Sequence, residues 1–178
     1  MAEGLENILT RCPACSARYS IATKGKRLRC ESCGLSLELD GRYRFVGSIE
    51  HSTVADWYSW QIAEYEKEIT ANPDFALRSR VTLKNSSKDG KTTLRESGTG
   101  ECVLNREGLT YIGTKDGEQI EKHFPMSSIY RLLFGAGEDF ELYEGKEIYY
   151  FVPEEKRSCV DWYIVSGLLK KMTEGESL

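Results

Sequence analysis

Cys12-Pro13-Ala14-Cys15, followed after a gap of fourteen residues by Cys30-Glu31-Ser32-Cys33-Gly34, is the stretch on which the rest of the chain is read. Two cysteines three positions apart can curl around a metal ion so that both sulfurs face it while nearby backbone N–H groups donate to the thiolates. Two such knuckles complete a tetrahedron. Gly34 follows the second pair where a left-handed backbone is easy, Pro13 stiffens the first turn, and Ser16 is a small departure at the place where glycine is common. Residues 19–22 and 27–29 flank Lys24-Gly25, and Leu35, Leu37 and Leu39 alternate with polar residues ahead of Asp40-Gly41 and residues 43–46. These are short hairpin strands, so residues 8–46 are expected to form a zinc ribbon with Cys12, Cys15, Cys30 and Cys33 as ligands.

A unit of about forty residues cannot bury enough apolar surface to offset its chain entropy, so the expected Zn2+ is structural and contributes directly to folding. Four thiolates also close the coordination sphere, which leaves no water site for catalysis. Six cysteines could instead make a disulfide scaffold, but Cys102 and Cys159 stand far from the cluster and from each other. They read as small buried apolar residues. Basic residues gather in the ribbon: Arg11, Arg18, Lys24, Lys26, Arg27 and Arg29 against Glu31. Neutralising the doubly negative zinc centre and solvating the hairpins is the plain role for them, and nucleic-acid contact is the competing one.

The whole chain has 178 residues and a formal charge of −4, so no global basic field is available to hold nucleic acid. Its most apolar windows, 148–152 and 162–169, fall far short of the roughly 20 residues needed to cross a bilayer, and the N-terminus lacks a charged-then-apolar signal. A cytoplasmic location is expected, with no transmembrane segment.

Residues 47–73 read as a linker carrying an amphipathic helix. Val54, Trp57, Tyr58, Ile62, Tyr65 and Ile69 recur at helical spacing, Ser52 or Thr53 offers an N-cap, and Asn72-Pro73 is the stop. Trp60 lies at the edge of the stripe, as a rim residue or as an anchor for a partner or membrane. His51 and Asp56 have the His-x4-Asp spacing with which glycerolipid acyltransferases pair a general base and its orienting carboxylate. The block expected to follow is poorly matched by Phe124-Pro125-Met126-Ser127-Ser128, and a helix-entry histidine with a first-turn aspartate explains the pair without chemistry.

Residues 74–173 change to period-two runs separated by turns, giving seven strands near 75–84, 99–105, 108–113, 118–124, 128–134, 139–143 and 146–151. A last helix is expected from about 154 or 155 to 172, entered through Pro153, with Glu154 and Glu155 in its first turn and Lys170 and Lys171 in its last. It is apolar on two faces, one suited to plug a barrel mouth and one that needs a cover, from the linker helix, a partner or a membrane. The fold class expected is therefore α+β: a small four-cysteine zinc ribbon of β hairpins, a linker helix, and a seven-stranded antiparallel barrel of pleckstrin-homology or GRAM type closed by a C-terminal helix. Lys84, Lys88, Lys91 and Arg95 fall about the first strand pair, where lipid-binding barrels of this type hold phosphates, and are the candidate ligand residues. Gly98-Thr99-Gly100 and Gly135-Ala136-Gly137 are not nucleotide loops, since neither leads into a helix with the phosphate-contacting Lys and Ser or Thr. No catalytic residue is assigned: His51 and His123 are the two histidines, and neither sits in a recognisable acid–base constellation.

Cys-Pro-Ala-Cys with Cys-Glu-Ser-Cys-Gly, then Trp57-Tyr58-Ser59-Trp60, Gly108-Leu-Thr-Tyr-Ile-Gly113, Tyr149-Tyr-Phe-Val-Pro153 and Trp162-Tyr163 together resemble the non-catalytic C-terminal extension of certain bacterial proteins of the 1-acylglycerol-3-phosphate acyltransferase type. In that region a zinc ribbon precedes a barrel of pleckstrin-homology type. The resemblance covers nearly the whole chain and implies an accessory role in membrane lipid metabolism, with any acyltransferase activity belonging to a catalytic domain absent here. The expected function is a non-enzymatic zinc-binding adaptor, peripheral to the membrane, that docks an anionic membrane surface or a protein partner. A nucleic-acid or transcription-associated ribbon is the alternative, and residual acyl transfer through His51 and Asp56 is a third.

Overall fold

A computed structural model describes residues 1–47, 50–86 and 94–175. They divide into two compact units, Met1–Glu68 and Ile69–Leu178. In the first, strands β1 (Ile21–Lys24), β2 (Arg27–Cys30), β3 (Ser36–Leu39) and β4 (Phe45–Val46) form an antiparallel sheet in chain order. Lys24 pairs with Arg27 across the turn at Gly25, whose φ of 62° is a conformation that glycine adopts freely. Strand alternation sorts the side chains. Ile21, Leu28, Cys30, Leu37, Leu39 and Phe45 are buried, whereas Lys24, Arg27, Arg29, Ser36, Glu38 and Val46 face outward.

Helix α1 (Val54–Ala71) begins at a reciprocal capping box. The Asp56 amide donates to Thr53 Oγ1 at 3.0 Å, and the Thr53 amide donates to Asp56 Oδ2 at 3.1 Å. It ends immediately before Asn72-Pro73, where proline disfavours a helical conformation in its predecessor. Trp57 joins the buried cluster of the ribbon, with its ring 5.3 Å from that of Phe45, and Val54, Tyr58 and Trp60 pack around it. Trp60 is thus a rim residue, lying 5.3 Å from the His51 ring.

The second unit contains β5 (Leu77–Ser86), β6 (Leu94–Asn105), β7 (Gly108–Lys115), β8 (Glu118–Pro125), β9 (Leu133–Gly135), β10 (Asp139–Glu144) and β11 (Glu147–Pro153), then helix α2 (Cys159–Glu174). All seven strands lie in one antiparallel sheet of order β8-β7-β6-β5-β11-β10-β9. The first and last strands of the unit are therefore neighbours, Leu83 opposite Phe151. The expected barrel is corrected here, because the sheet is open and β8 and β9 are its edges. Residues 126–128 form a 3-10 turn instead of starting the strand expected at 128–134, and the Ser128 hydroxyl and Ile129 amide bond back to Pro125 O and Met126 O. That leaves β9 only three residues long. Lys170 of α2 donates to Met126 O and Ser127 O, and α2 lies against β9 and β10.

The final helix also starts later than expected. Pro153 is the last residue of β11, and the Glu154 amide still donates to Arg80 O. A 3-10 turn, Lys156–Ser158, intervenes, so Asp161 and not Glu154 or Glu155 occupies the first turn of α2, and Lys171 stands in its last. Trp162 stacks on Phe140 with centroids 4.2 Å apart, and Phe151, Tyr111, Cys102 and Cys159 complete a buried core. Gly98 and Gly100 in β6 and Gly113 in β7 let two strands approach closely: a Cβ on Gly100 would lie 2.3 Å from Ile112 O, and one on Gly113 2.4 Å from Thr99 O.

Candidate metal centre

The four cysteines of the two knuckles converge. Their sulfurs all lie within 4.8 Å of one another, with Cys12 Sγ to Cys33 Sγ at 3.7 Å and Cys15 Sγ to Cys30 Sγ at 3.8 Å. A tetrahedral ion with metal–sulfur bonds of about 2.3 Å requires sulfurs about 3.8 Å apart, so the cluster can hold a metal ion and is compatible with zinc. Cys12 and Cys30 are buried, while Cys15 and Cys33 are exposed.

The knuckles are built alike. The Ser16 amide donates to Cys12 O at 2.8 Å and the Gly34 amide to Cys30 O at 2.9 Å, while the Cys12 and Cys30 amides donate in turn to Ala17 O and Leu35 O. Ser16 adopts the same left-handed conformation as Gly34, with φ of 59° against 79°. The departure seen in the sequence is therefore one of residue type and not of backbone. Burial pushes the Cys12 thiol up to about 12, against hydrogen bonds from the Cys15 and Ala14 amides. Burial opposes ionisation of Cys30 too, but the Ser20 hydroxyl and the Cys33 and Ser32 amides outweigh it and draw that thiol down to about 6. These donors are already in place for thiolates, and a bound cation would favour the ionised form of the whole set.

A second layer fixes the approach to the first knuckle. Gln61 is fully buried, and its Oε1 accepts from the Thr10 amide at 2.8 Å, the Thr10 hydroxyl at 3.2 Å and the Arg11 amide at 3.1 Å. Its Nε2 donates to Ile8 O, and Trp57 Nε1 donates to Arg11 O at 2.8 Å. Glu68 receives Arg11 on one carboxylate oxygen at 2.7 Å and Arg18 on the other at 2.6 Å, and Arg18 also lies over the Tyr65 ring. Sequence reasoning missed Gln61 and Glu68. The available signal was spacing, since Trp57, Gln61, Tyr65 and Ile69 recur every four residues along one helical stripe.

The other candidates fare differently. The Thr53 hydroxyl, then the Ser52 hydroxyl and the Thr53 amide, hold the Asp56 carboxyl below the ordinary range. It serves the helix start, while the His51 ring lies against Trp60. Lys88 and Lys91 fall outside the described residues. Lys84 is half-buried on β5 opposite Tyr150, and Arg95 pairs with Asp116. Arg95 lines a groove of about 460 Å³ with Asn85, Lys115, Asp116, Lys146 and Glu147, to which Lys84 does not contribute. Lys115 and Lys146 were missed, because only the strand order brings residues 95, 115 and 146 together.

No protein-family model matches the chain, and neither a curated protein nor a solved structure is significantly similar to it. Among the described residues no helix is long and apolar enough to cross a membrane.

Proposed function

We propose that the chain is a non-catalytic adaptor in which one structural zinc ion staples the ribbon and the larger unit docks an anionic membrane surface or a protein partner. The observation that carries this reading is the four-thiolate cluster at tetrahedral spacing, which would fill the coordination sphere of zinc and leave no position for water or substrate. The antiparallel strand order, with first and last strands adjacent and a terminal helix laid on the sheet, supports a pleckstrin-homology or GRAM-type assignment for the larger unit. The resemblance of its motifs to the accessory region of acyltransferase-type proteins supports a setting in membrane phospholipid synthesis, on the cytoplasmic side and peripheral to the bilayer.

Within that unit the groove of Arg95, Lys115 and Lys146 is the docking position we assign for a lipid phosphate, which would compete with Asp116 for Arg95 and with Glu147 for Lys115. Each basic side chain near an anionic surface contributes about 1 kcal/mol, screened by salt. Flotation with vesicles containing anionic lipid tests it. Binding is expected at low salt, weaker at high salt, and several-fold weaker in an Arg95→Glu, Lys146→Glu variant. Absence of flotation at low salt would count against membrane docking and direct the search to a protein partner.

A further inference from the structure

The basic cluster of the ribbon, uniform in the sequence, splits in two in the structure. Arg11 and Arg18 are committed to Glu68. Lys24, Arg27 and Arg29 are all exposed, and among the described residues none forms an ion pair. Strand register places these three on one face: Lys24 opposite Arg27, and Ala22 opposite Arg29, which is in turn opposite Ser36. They line a shallow groove of about 470 Å³ whose other walls are Ala22, Gly34 and Ser36. Glu38, paired with Arg27 in the register, is the acidic side chain on that face and does not line the groove. Residues 8–46 carry eight basic and three acidic side chains within a chain of net charge −4, so the positive field is local to this small unit.

From this arrangement we infer that the outer face of the ribbon sheet, through Lys24, Arg27 and Arg29, binds the phosphate backbone of a nucleic acid. Arginine and lysine on alternate positions of paired strands present cations along a line, as a polyanion requires. The guanidinium forks match phosphate oxygens in pairs, and small residues on the floor let a backbone approach. The groove walls include no aromatic or large apolar side chain. A bilayer anchor and the apolar pockets of a peptide site are therefore lacking, and base stacking is not part of the contact. Recognition is then by charge, without sequence preference.

Fluorescence anisotropy of the full chain with a labelled oligothymidine of about 16 nucleotides tests this. Binding with a Kd of about 10⁻⁵ M at about 50 mM salt is expected, with log K falling against log salt at a slope of about −2, the value for three phosphate contacts on a single strand. Arg27→Glu with Arg29→Glu should abolish binding while the metal content stays unchanged. Should that pair fail to fold, Arg27→Gln and Arg29→Gln singly are each expected to reduce the slope by about 0.7. No binding at about 50 mM salt overturns the inference, as does binding indifferent to these substitutions. Equal or tighter binding of polyglutamate, or of anionic vesicles through the same residues, also overturns it. The membrane test above uses Arg95 and Lys146 of the other unit, so the two proposals fail separately.

Discussion

The Gln61 amide satisfies three donors with one oxygen, the buried Thr10 N and Thr10 Oγ1 and the part-buried Arg11 N. Gln61→Leu keeps the volume but orphans those donors, and should cost about 1–3 kcal/mol in urea denaturation of the ribbon unit. A loss below a few tenths would show that water replaces the glutamine freely. In the sequence this residue looks like a polar break in an apolar stripe, because its partners lie about fifty positions away. The cysteines, by contrast, were legible at once, since their spacing is local and their chemistry narrow. Asp139 gives a prediction about pH. Burial, reinforced by Glu141 and Glu138 and partly offset by Lys84, holds its carboxyl above the ordinary value near 3.8. The folded state then binds the proton more tightly than the unfolded chain, so its contribution to stability falls as pH rises from below 3.8 through the raised value. Asp139→Asn should flatten that part of the profile and raise the melting temperature at neutral pH. An unchanged or lower one would contradict the assignment.

Elements were legible where turns punctuate them and less so where a ladder outlasts its sequence signal. Asn105 to Gly108, Asp116-Gly117 and Glu144-Gly145 mark hairpins, and strands follow on both sides of each. Pro153 reads as a helix entry, yet the Glu154 amide is still held by Arg80 O, so the sheet keeps the chain extended for longer. Openness of the sheet was hidden too. The 3-10 turn at Met126–Ser128 shortens the strand that follows to Leu133–Gly135, and the Pro125 and Ser127-Ser128 turn residues that mark it stand inside a largely apolar run. Thr53→Ala, which removes half of the capping box, is expected to cost about 1 kcal/mol in thermal or chemical denaturation. Gly113→Ala should be far worse. Its Cβ would lie 2.4 Å from Thr99 O and 2.5 Å from Gly100 Cα, and backbone atoms cannot move aside as a flexible side chain can. A variant melting within a degree or two of the parent would contradict the close approach of β6 and β7.

At the scale of the molecule, composition separates a basic ribbon from the acidic remainder, and the period of the apolar residues changes from helical to alternating after Pro73. What the sequence could not supply is which distant residues share a surface, as Arg95, Lys115 and Lys146 do in one groove, whereas Lys24, Arg27 and Arg29 of the other are near neighbours along the chain. In the proposed function metal staples the smaller unit, whose four cysteine sulfurs lie within 4.8 Å of one another. Structural zinc in small ribbons binds with about 10–16 kcal/mol, comparable to or larger than the stability of a whole domain. Its removal should therefore unfold residues 8–46. The direct measurement is metal analysis of the purified chain joined to amide NMR spectra before and after chelation. We expect one zinc per chain, and on chelation a collapse of the dispersed ribbon resonances that zinc restores. Another metal in its place, or a metal-free chain whose ribbon resonances are unchanged, would contradict a zinc-folded ribbon.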